Sequence, residues 1–157
     1  MTVQVDLPVG RLSASNAILL KWRLMTWLWG RGPYASFVAR VIRGHIRRTY
    51  GCYLSPASKV GRAVYLPHPV GVVVGDNATI CDGVTIYQHV TIGQAQEAGL
   101  CPRIGRGAKI FAGAVLIGDI VIGDGAVIGA NAVVRSSVPP NEVAVGVPAR
   151  VVGRSRQ

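Results

Sequence analysis

The chain has 157 residues, three cysteines and a formal net charge of +10 at pH 7. This length allows one domain with a core plus a short extension. The cysteines show no metal-type spacing and cannot form an even disulfide framework, so we expect a reducing compartment and no metal site. We expect no signal peptide and no membrane-spanning segment, because the start lacks a basic region followed by an apolar run and no apolar stretch is long enough.

The positive charge is concentrated in the first third of the chain. Residues 1–50 contain eight Lys or Arg and one Asp, whereas residues 51–157 contain nine Lys or Arg and six acidic residues. Such a basic balance predicts an anionic partner: a nucleic acid, a lipid surface or a phosphorylated cofactor. Nucleic-acid binding is not expected, since no groove-reading motif accompanies the charge.

Two helices are predicted in residues 1–50. The first is capped by Ser13 or Ser15 and ends near Trp29. The second begins at Pro33, which suits a first helical turn, and ends near Thr49. Two interpretations stay open for them: a cap docked on the rest of the molecule and on neighbouring subunits, or peripheral contact of residues 11–48 with an anionic membrane. One side of the second helix is apolar and the other basic: Tyr34, Phe37, Val38, Val41 and Ile42 against Arg40, Arg43, Arg47 and Arg48.

A six-residue repeat occupies most of the remaining chain. A fixed hexapeptide period predicts a parallel β-helix, in which three hexapeptides complete one triangular coil. We therefore predict a mainly β fold, a left-handed parallel β-helix over residues 51–138, with an N-terminal α-helical extension (1–50) and a C-terminal extended tail (139–157). The repeating aliphatic residues are Leu54, Val60, Leu66, Val74, Ile80, Ile86, Ile92, Ile104, Ile110, Leu116, Ile122, Ile128 and Val134.

The repeat breaks at two places. Between Leu66 and Val74 there are two extra residues, which predicts a bulge at His68, between two prolines. Between Ile92 and Ile104 the pattern is lost in a polar segment, which predicts a loop extruded from the prism. Non-repeating loops on a rigid solenoid are typical places for binding and catalysis.

Several motifs resemble the hexapeptide acyltransferases of the serine acetyltransferase type. They are W-L-W-G-R-G (27–32), S-P-A-S-K-V-G (55–61), H-P-V-G-V-V-V-G (68–75), V-T-I-G (90–93), the G-D-I-x-I-G-D-G-A-x-I-G-A repeats and V-P-P…G-V-P-A-R (138–150). The resemblance implies a cytoplasmic homotrimer, acetyl-CoA as the acetyl donor and O-acetylation of a hydroxyl. It also implies that His68 is the general base, a task that suits a neutral imidazole.

The resemblance further suggests residues for the donor and the acceptor. The pantetheine arm of acetyl-CoA is expected against small residues, and its phosphates near basic ones. Tyr53 takes the place of the residue that orients the catalytic His, and Cys101 is expected to line the acceptor pocket. His89 lies where the resemblance places no catalytic group, and it is the alternative candidate for catalysis or substrate contact. The expected donor-binding residues are Gly93, Ala112, Gly113, Ala130, Arg135 and Arg150.

Three departures from serine acetyltransferases bear on the acceptor. Pro67 replaces the Asp before the catalytic His, Leu100-Cys101 replaces an Arg-His pair, and Tyr53 replaces the orienting carboxylate. C-P-x-I-G (101–105) looks closer to the O-acetyltransferases of exopolysaccharide and colanic-acid synthesis. We therefore expect a saccharide hydroxyl of a surface-polymer precursor as acceptor, with the protein cytoplasmic or peripheral at the inner membrane face. The alternatives are a serine O-acetyltransferase of cysteine biosynthesis and a non-catalytic scaffold at the membrane.

Overall fold

The computed structural model describes residues 14–94 and 100–155, and its first helix packs on the base of a β-helix. Helix α1 covers Ala14–Leu28 and buries Ile18, Leu19, Trp22 and Met25, which recur on one side of the helix. The Trp22 indole Nε1 donates to the Ser55 carbonyl and to the Ser58 hydroxyl, both at 3.1 Å. These bonds satisfy the one polar group of a fully buried indole and fix α1 to the first coil.

The predicted serine cap of α1 differs from the observed arrangement. Ser13 lies outside the described residues, and Ser15 lies inside the helix, where it is buried. Its hydroxyl accepts a hydrogen bond from the Leu66 N–H at 3.2 Å. Ser15 therefore joins α1 to the first coil.

Helix α2 covers Pro33–Tyr50 and shows a different buried side from the one its sequence suggests. The core side carries Ala39 and Ile46, while the apolar side that the pattern marks is largely exposed. The reason is tertiary: α1 and the first coil pack on the Ala39 side. The exposed fractions are 88% for Tyr34, 62% for Phe37, 45% for Val38 and 55% for Val41.

The remaining chain forms a β-helix of short parallel strands with three faces. Face A contains β1, β3, β6, β9 and β12; face B contains β2, β4, β7 and β10; face C contains β5, β8, β11, β13 and β14. The strands are β1 Tyr53–Leu54, β2 Lys59–Val60, β3 Val73–Val74, β4 Thr79–Ile80, β5 Thr85–Ile86, β6 Thr91–Gly93, β7 Arg103–Ile104, β8 Lys109–Ile110, β9 Val115–Ile117, β10 Val121–Ile122, β11 Val127–Ile128, β12 Val133–Val134, β13 Glu142–Val145 and β14 Arg150–Arg154.

The core is the column of repeating aliphatic side chains inside the prism. Apart from Val60, which is half-buried against the same core, all of the predicted inward residues are buried. The fold prediction, a left-handed parallel β-helix with an N-terminal helical part, is confirmed.

Strand register locates the two breaks. In a regular coil Val73 pairs with Thr91, eighteen residues on. Tyr53 pairs with Val73, twenty residues on, because the 66–74 segment is longer by two. Thr91 pairs with Val115, twenty-four residues on, because the segment between β6 and β7 is longer by six. Most of the predicted extruded loop, residues 95–99, lies outside the described residues.

The C-terminal segment reverses direction instead of continuing around the prism. Strand β13 is parallel to β11, and β14 then returns antiparallel to β13 along face C. The Arg154 Nε lies 3.6 Å from the Glu142 Oε1 across this pair. Within residues 14–94 and 100–155, no helix has the length and apolar character to cross a membrane.

Candidate functional site

The corner where face C turns into face A carries a column of left-handed residues. We call the turns at residues 67–72, 87–90, 111–114 and 129–132 the C–A corner. Each turn hydrogen-bonds to the one below, as the His89 N–H does to the Val70 carbonyl at 3.0 Å. The column consists of Gly51 (φ 63°), Gly71 (65°), His89 (57°), Gly113 (72°) and Asn131 (56°), and it begins at the residue that caps α2.

His68 lies on this corner, in the bulge made by the two extra residues. Its carbonyl accepts a hydrogen bond from the Val70 N–H at 2.8 Å, so the bulge is a tight turn, and the neighbouring Pro69 is buried. The His68 side chain is exposed, and no side chain in the described part of the chain hydrogen-bonds to its ring. The His68 ring is therefore accessible to a bound ligand.

Tyr53 does not contact the His68 ring through a hydrogen bond. Its backbone N–H donates to the Val72 carbonyl at 2.9 Å, which places Tyr53 at the base of face A beside the bulge. The Arg43 guanidinium lies over the Tyr53 ring, 5.9 Å from its centroid. The predicted orienting role of Tyr53 therefore stays a prediction.

His89 lies one coil above the bulge, and its ring covers Gly71. A Cβ atom on Gly71 would lie 2.3 Å from the His89 Nδ1, which is far inside van der Waals contact. Two features therefore favour glycine at position 71: its positive φ and the His89 ring, which leaves no room for a Cβ. His89 is brought to the same corner as His68.

Gln88 is a residue of this corner that the sequence reasoning missed. Its side-chain Oε1 is buried and has no hydrogen-bond partner among the described residues. Such an atom calls for an explanation, because buried polar groups are nearly always paired. The only sequence signal is an amide at a corner position where the next two coils have Ala112 and Ala130.

The upper part of the C–A corner carries small residues beside Phe111 and Asn131. Ala112 and Gly113 lie on the coil above Gln88, and Ala130 lies on the coil above them. A Cβ on Gly113 would lie 2.1 Å from the Asn131 Oδ1, so this turn admits only glycine. Coils are about 4.8 Å apart, so Ala130 lies about 14 Å above Val70 along the axis.

Arg150 lies at the top of the same corner. The Ala149 N–H donates to the Val133 carbonyl at 2.8 Å, and Arg150 pairs with Val145 at the start of β14. Its guanidinium Nη1 donates to the Ala149 carbonyl at 3.0 Å. The corner therefore runs from an exposed imidazole, past small residues, to a guanidinium.

Cys101, Gly93 and Arg135 lie at the other edge of face A, at the A–B corner. The Cys101 Sγ lies 3.4 Å from the place of a Cβ on Gly75. Partial burial raises the pKa of the Cys101 thiol above its usual value, and the negative charge of Asp76 raises it further. Within one chain these three residues are not brought to His68.

A small cavity opens between α2 and Tyr53. Its volume is about 140 Å³, and its lining consists of Arg40, Arg43, Gly44, Arg47 and Tyr53. No described acidic side chain pairs with these guanidinium groups, since the one ion pair in the described part of the chain joins Arg154 to Glu142. The cavity is therefore strongly positive.

Comparison with known proteins identifies the repeat. The profile "Bacterial transferase hexapeptide (six repeats)" matches residues 101–136, and "Hexapeptide repeat of succinyl-transferase" matches residues 61–88. The chain is 41% identical over 62 residues to the serine acetyltransferase of Escherichia coli (strain K12), a match that covers 40% of this chain and 22% of that protein.

Solved structures extend the similarity to nearly the whole chain. Soybean serine acetyltransferase complexed with serine superposes with a TM-score of 0.81 and 37% identity over 86% of this chain and 56% of that chain. The Brucella abortus serine acetyltransferase in complex with coenzyme A superposes with a TM-score of 0.83 and 32% sequence identity, over 90% of this chain and 57% of that chain. The chain thus spans little more than half the length of these relatives.

These findings confirm the resemblance to hexapeptide-repeat acetyltransferases and correct the expected acceptor. The matched relatives and structures are serine acetyltransferases, so the prediction of a saccharide hydroxyl as acceptor is wrong. The closer resemblance to exopolysaccharide and colanic-acid O-acetyltransferases is not confirmed. Contact with a membrane also finds no support in the comparisons.

Proposed function

We propose that this protein is an acetyl-CoA-dependent O-acetyltransferase whose acceptor is the hydroxyl of serine. The observation that carries the proposal is the exposed, unpaired imidazole of His68 at one end of the corner that carries Ala112, Gly113 and Ala130. The likeness to serine acetyltransferases solved with serine and with coenzyme A supports both substrates.

In the proposed reaction His68 is the catalytic residue. Its neutral imidazole takes the proton of the serine hydroxyl while the oxygen attacks the thioester carbonyl of acetyl-CoA. The tetrahedral intermediate collapses by breaking the C–S bond, and the departing thiolate takes the proton back from the imidazolium. The products are O-acetylserine and coenzyme A, and His68 is neutral again.

The C–A corner fits the shape of the donor. With the thioester at His68, the pantetheine arm extends along Ala112, Gly113 and Ala130, where small residues allow close approach to the backbone. The phosphates then lie near the guanidinium of Arg150, which can bind phosphate oxygens through two parallel hydrogen bonds.

A homotrimer would complete the site. The outward side chains of face A are uncharged (Tyr53, Val73, Thr91, Val115 and Val133), whereas face B carries Lys59 and Arg103 and face C carries Lys109. Burial of uncharged faces around a three-fold axis is favourable. It would set the C–A corner of one subunit against the A–B corner of the next.

This arrangement gives the A–B residues their proposed roles. Gly93, Cys101 and Arg135 of the partner subunit would face His68 and the donor, with Cys101 as a wall of the acceptor pocket and Arg135 near the phosphates. His89 would act as a positioning residue, because its ring holds the Gly71 end of the bulge.

The organisation and location of the protein are proposals as well. Residues 1–50, 51–138 and 139–157 would act as helical extension, catalytic β-helix and tail of a cytoplasmic enzyme. Contact of residues 11–48 with an anionic membrane stays a prediction without support, and its residues 11–13 lie outside the described part of the chain.

The test is acetyl-CoA turnover, followed as free thiol release, with L-serine and with O-methylserine, which has no hydroxyl proton. We expect turnover with L-serine alone, and a loss of about 10²- to 10⁴-fold in kcat for His68→Ala. The matched control is His45→Ala, which removes a histidine of α2 that bonds to Lys21. Absence of serine-dependent thiol release, or full activity in His68→Ala, would contradict the proposal.

A further inference from the structure

The cavity of Arg40, Arg43 and Arg47 has a charge arrangement that calls for a ligand. The three arginines recur at i, i+3 and i+7 on α2, so they share one side of the helix. With Gly44 and Tyr53 they line an open cavity of about 140 Å³, which is room for a small anionic group and too little for a nucleotide. No described acidic side chain pairs with these guanidinium groups, so binding of an anion there is electrostatically favourable.

The cavity is preorganised on the helix side. Arg43 is half-buried, and its guanidinium lies over the Tyr53 ring, 5.9 Å from the ring centroid. This cation–π contact limits the conformational freedom of the Arg43 side chain. Gly44, the helical residue between the arginines, has nothing within 4 Å of the place of a Cβ. A ligand can therefore approach the helix backbone there without meeting a side chain.

The cavity lies at the lower end of the corner that carries His68. Gly51, the residue that ends α2, packs beneath Gly71, with 3.9 Å from the place of its Cβ to the Gly71 nitrogen. The Tyr53 N–H bonds to Val72, four residues after His68. The same short segment thus connects the arginine cavity with the bulge.

We propose that Arg43 and Arg47, with Arg40 at the rim, bind the carboxylate of the acceptor amino acid. This inference rests on the proposed function. Serine carries its carboxylate one carbon away from the hydroxymethyl group, so both groups bind within one small region. Tyr53 joins the two parts of that region, because its N–H bonds to the bulge segment at Val72 and its ring lies under Arg43. A guanidinium binds a carboxylate through two parallel hydrogen bonds, which fixes the orientation of the ligand as well as its position.

The proposed site also accounts for the uncharged residues Leu100 and Cys101 in the segment between β6 and β7, which supply no positive charge for the acceptor. Positive charge for the acceptor comes from below the bulge, through α2. The donor phosphates would bind at the opposite end of the corner, near Arg150. The two sets of arginines therefore bind different substrates.

The test compares L-serine with L-serinamide, which keeps the hydroxyl and lacks the carboxylate. For the wild type we expect kcat/KM to be about 10- to 100-fold higher with L-serine, the range of a hydrogen bond to a charged group. Arg43→Gln and Arg47→Gln should raise the KM for L-serine by a similar factor. Both variants should leave the kcat, the KM for acetyl-CoA and the turnover of L-serinamide nearly unchanged.

The matched control is Arg48→Gln, which removes the same charge from the same helix but does not line the cavity. It should behave as the wild type does with both acceptors. Equal losses for L-serine and L-serinamide in Arg43→Gln, a raised KM for acetyl-CoA, or the same behaviour in Arg48→Gln would overturn the proposal.

A second measurement separates this proposal from the proposed function. If the wild type does not acetylate serine, the proposed function fails, and calorimetric titration with inorganic sulfate then tests the cavity without turnover. Binding that is present in the wild type and in Arg48→Gln but lost in Arg43→Gln supports an anion site. Equal binding in all three proteins overturns it.

Discussion

The B–C and C–A corners of the β-helix share the same local geometry, but their side chains have different roles. At the corner between faces B and C, the Asp82 Oδ1 accepts the Arg62 N–H of the coil below at 2.7 Å, and Asp124 does the same for Arg106. Each carboxylate fits because Gly61 or Gly105 leaves the space beneath it open. The B–C corner is regular, and its side chains satisfy the backbone.

The C–A corner repeats the alternation of a glycine under a polar residue, with His89 above Gly71 and Asn131 above Gly113. Here the His89 side chain makes no hydrogen bond within the described residues, and two extra residues push His68 outward. The regular turns stabilise the solenoid, whereas the turn that departs from the repeat is the one that exposes an imidazole.

The largest expected effect follows from the proposed pairing of the C–A corner with a partner subunit. Val115→Glu places a charge in the middle of face A and should dissociate the proposed trimer, with a loss of most of the activity, because burying an unpaired carboxylate is strongly unfavourable. Sedimentation velocity and thiol release measure both effects. The control is Val121→Glu on face B, where the side chain is 49% exposed; a trimer that survives Val115→Glu would exclude face A as the interface.

The next prediction compares how much a glycine-to-alanine change destabilises the protein at each of the two corners. Gly71→Ala should lower the free energy of unfolding by about 2–3 kcal/mol, from the positive φ and from the clash with the His89 ring. In a His89→Ala background Gly71→Ala should still lower the free energy of unfolding by about 1–2 kcal/mol, because the strain of the positive φ persists. Denaturant unfolding of the single and double variants measures this difference.

The matched pair at the B–C corner should respond differently. A Cβ on Gly61 meets backbone atoms of Cys81 and Asp82 at 2.6–2.7 Å in addition to the Asp82 carboxylate. Asp82→Ala should therefore give little relief to Gly61→Ala. Equal relief at both corners would show that side chains, and not the backbone, set the spacing of the coils at the B–C corner.

The smallest effect concerns Cys101 at the A–B corner. Because its pKa is raised by burial and by Asp76, the thiol stays protonated at pH values where a free cysteine already forms thiolate. Alkylation by iodoacetamide at pH 8, followed by peptide mass mapping, should be slower than in the unfolded chain, and Asp76→Asn should speed it. No change in Asp76→Asn would mean that burial alone raises the pKa.

The sequence predicts the fold well because one requirement repeats in every coil. Each inward position must hold an aliphatic side chain of similar shape, so residues such as Ile80 and Ile104 mark the same column without any knowledge of distant contacts. The bulge at His68 is visible for the same reason, since two extra residues shift the phase of a regular pattern.

The arginine cavity and the acceptor could not be predicted in this way. The buried side of α2 is decided by what packs against it, so the pattern points to Phe37 while the structure buries Ile46. The proposed acceptor pocket would collect side chains from α2, the bulge and a partner subunit, and a substitution such as Cys101 in one motif does not reveal a charge supplied by another element. Reasoning from three substitutions consequently gave the wrong acceptor.

The column of left-handed residues also acts as a measure of length. It starts at Gly51, where α2 ends, and every further coil moves the chain by about 4.8 Å along the axis. In such a solenoid each coil contacts only its neighbours, so inserting or deleting one eighteen-residue coil above Gly113 would shift Arg150 by that step relative to His68. The number of coils thereby sets how long a molecule must be to reach from one to the other.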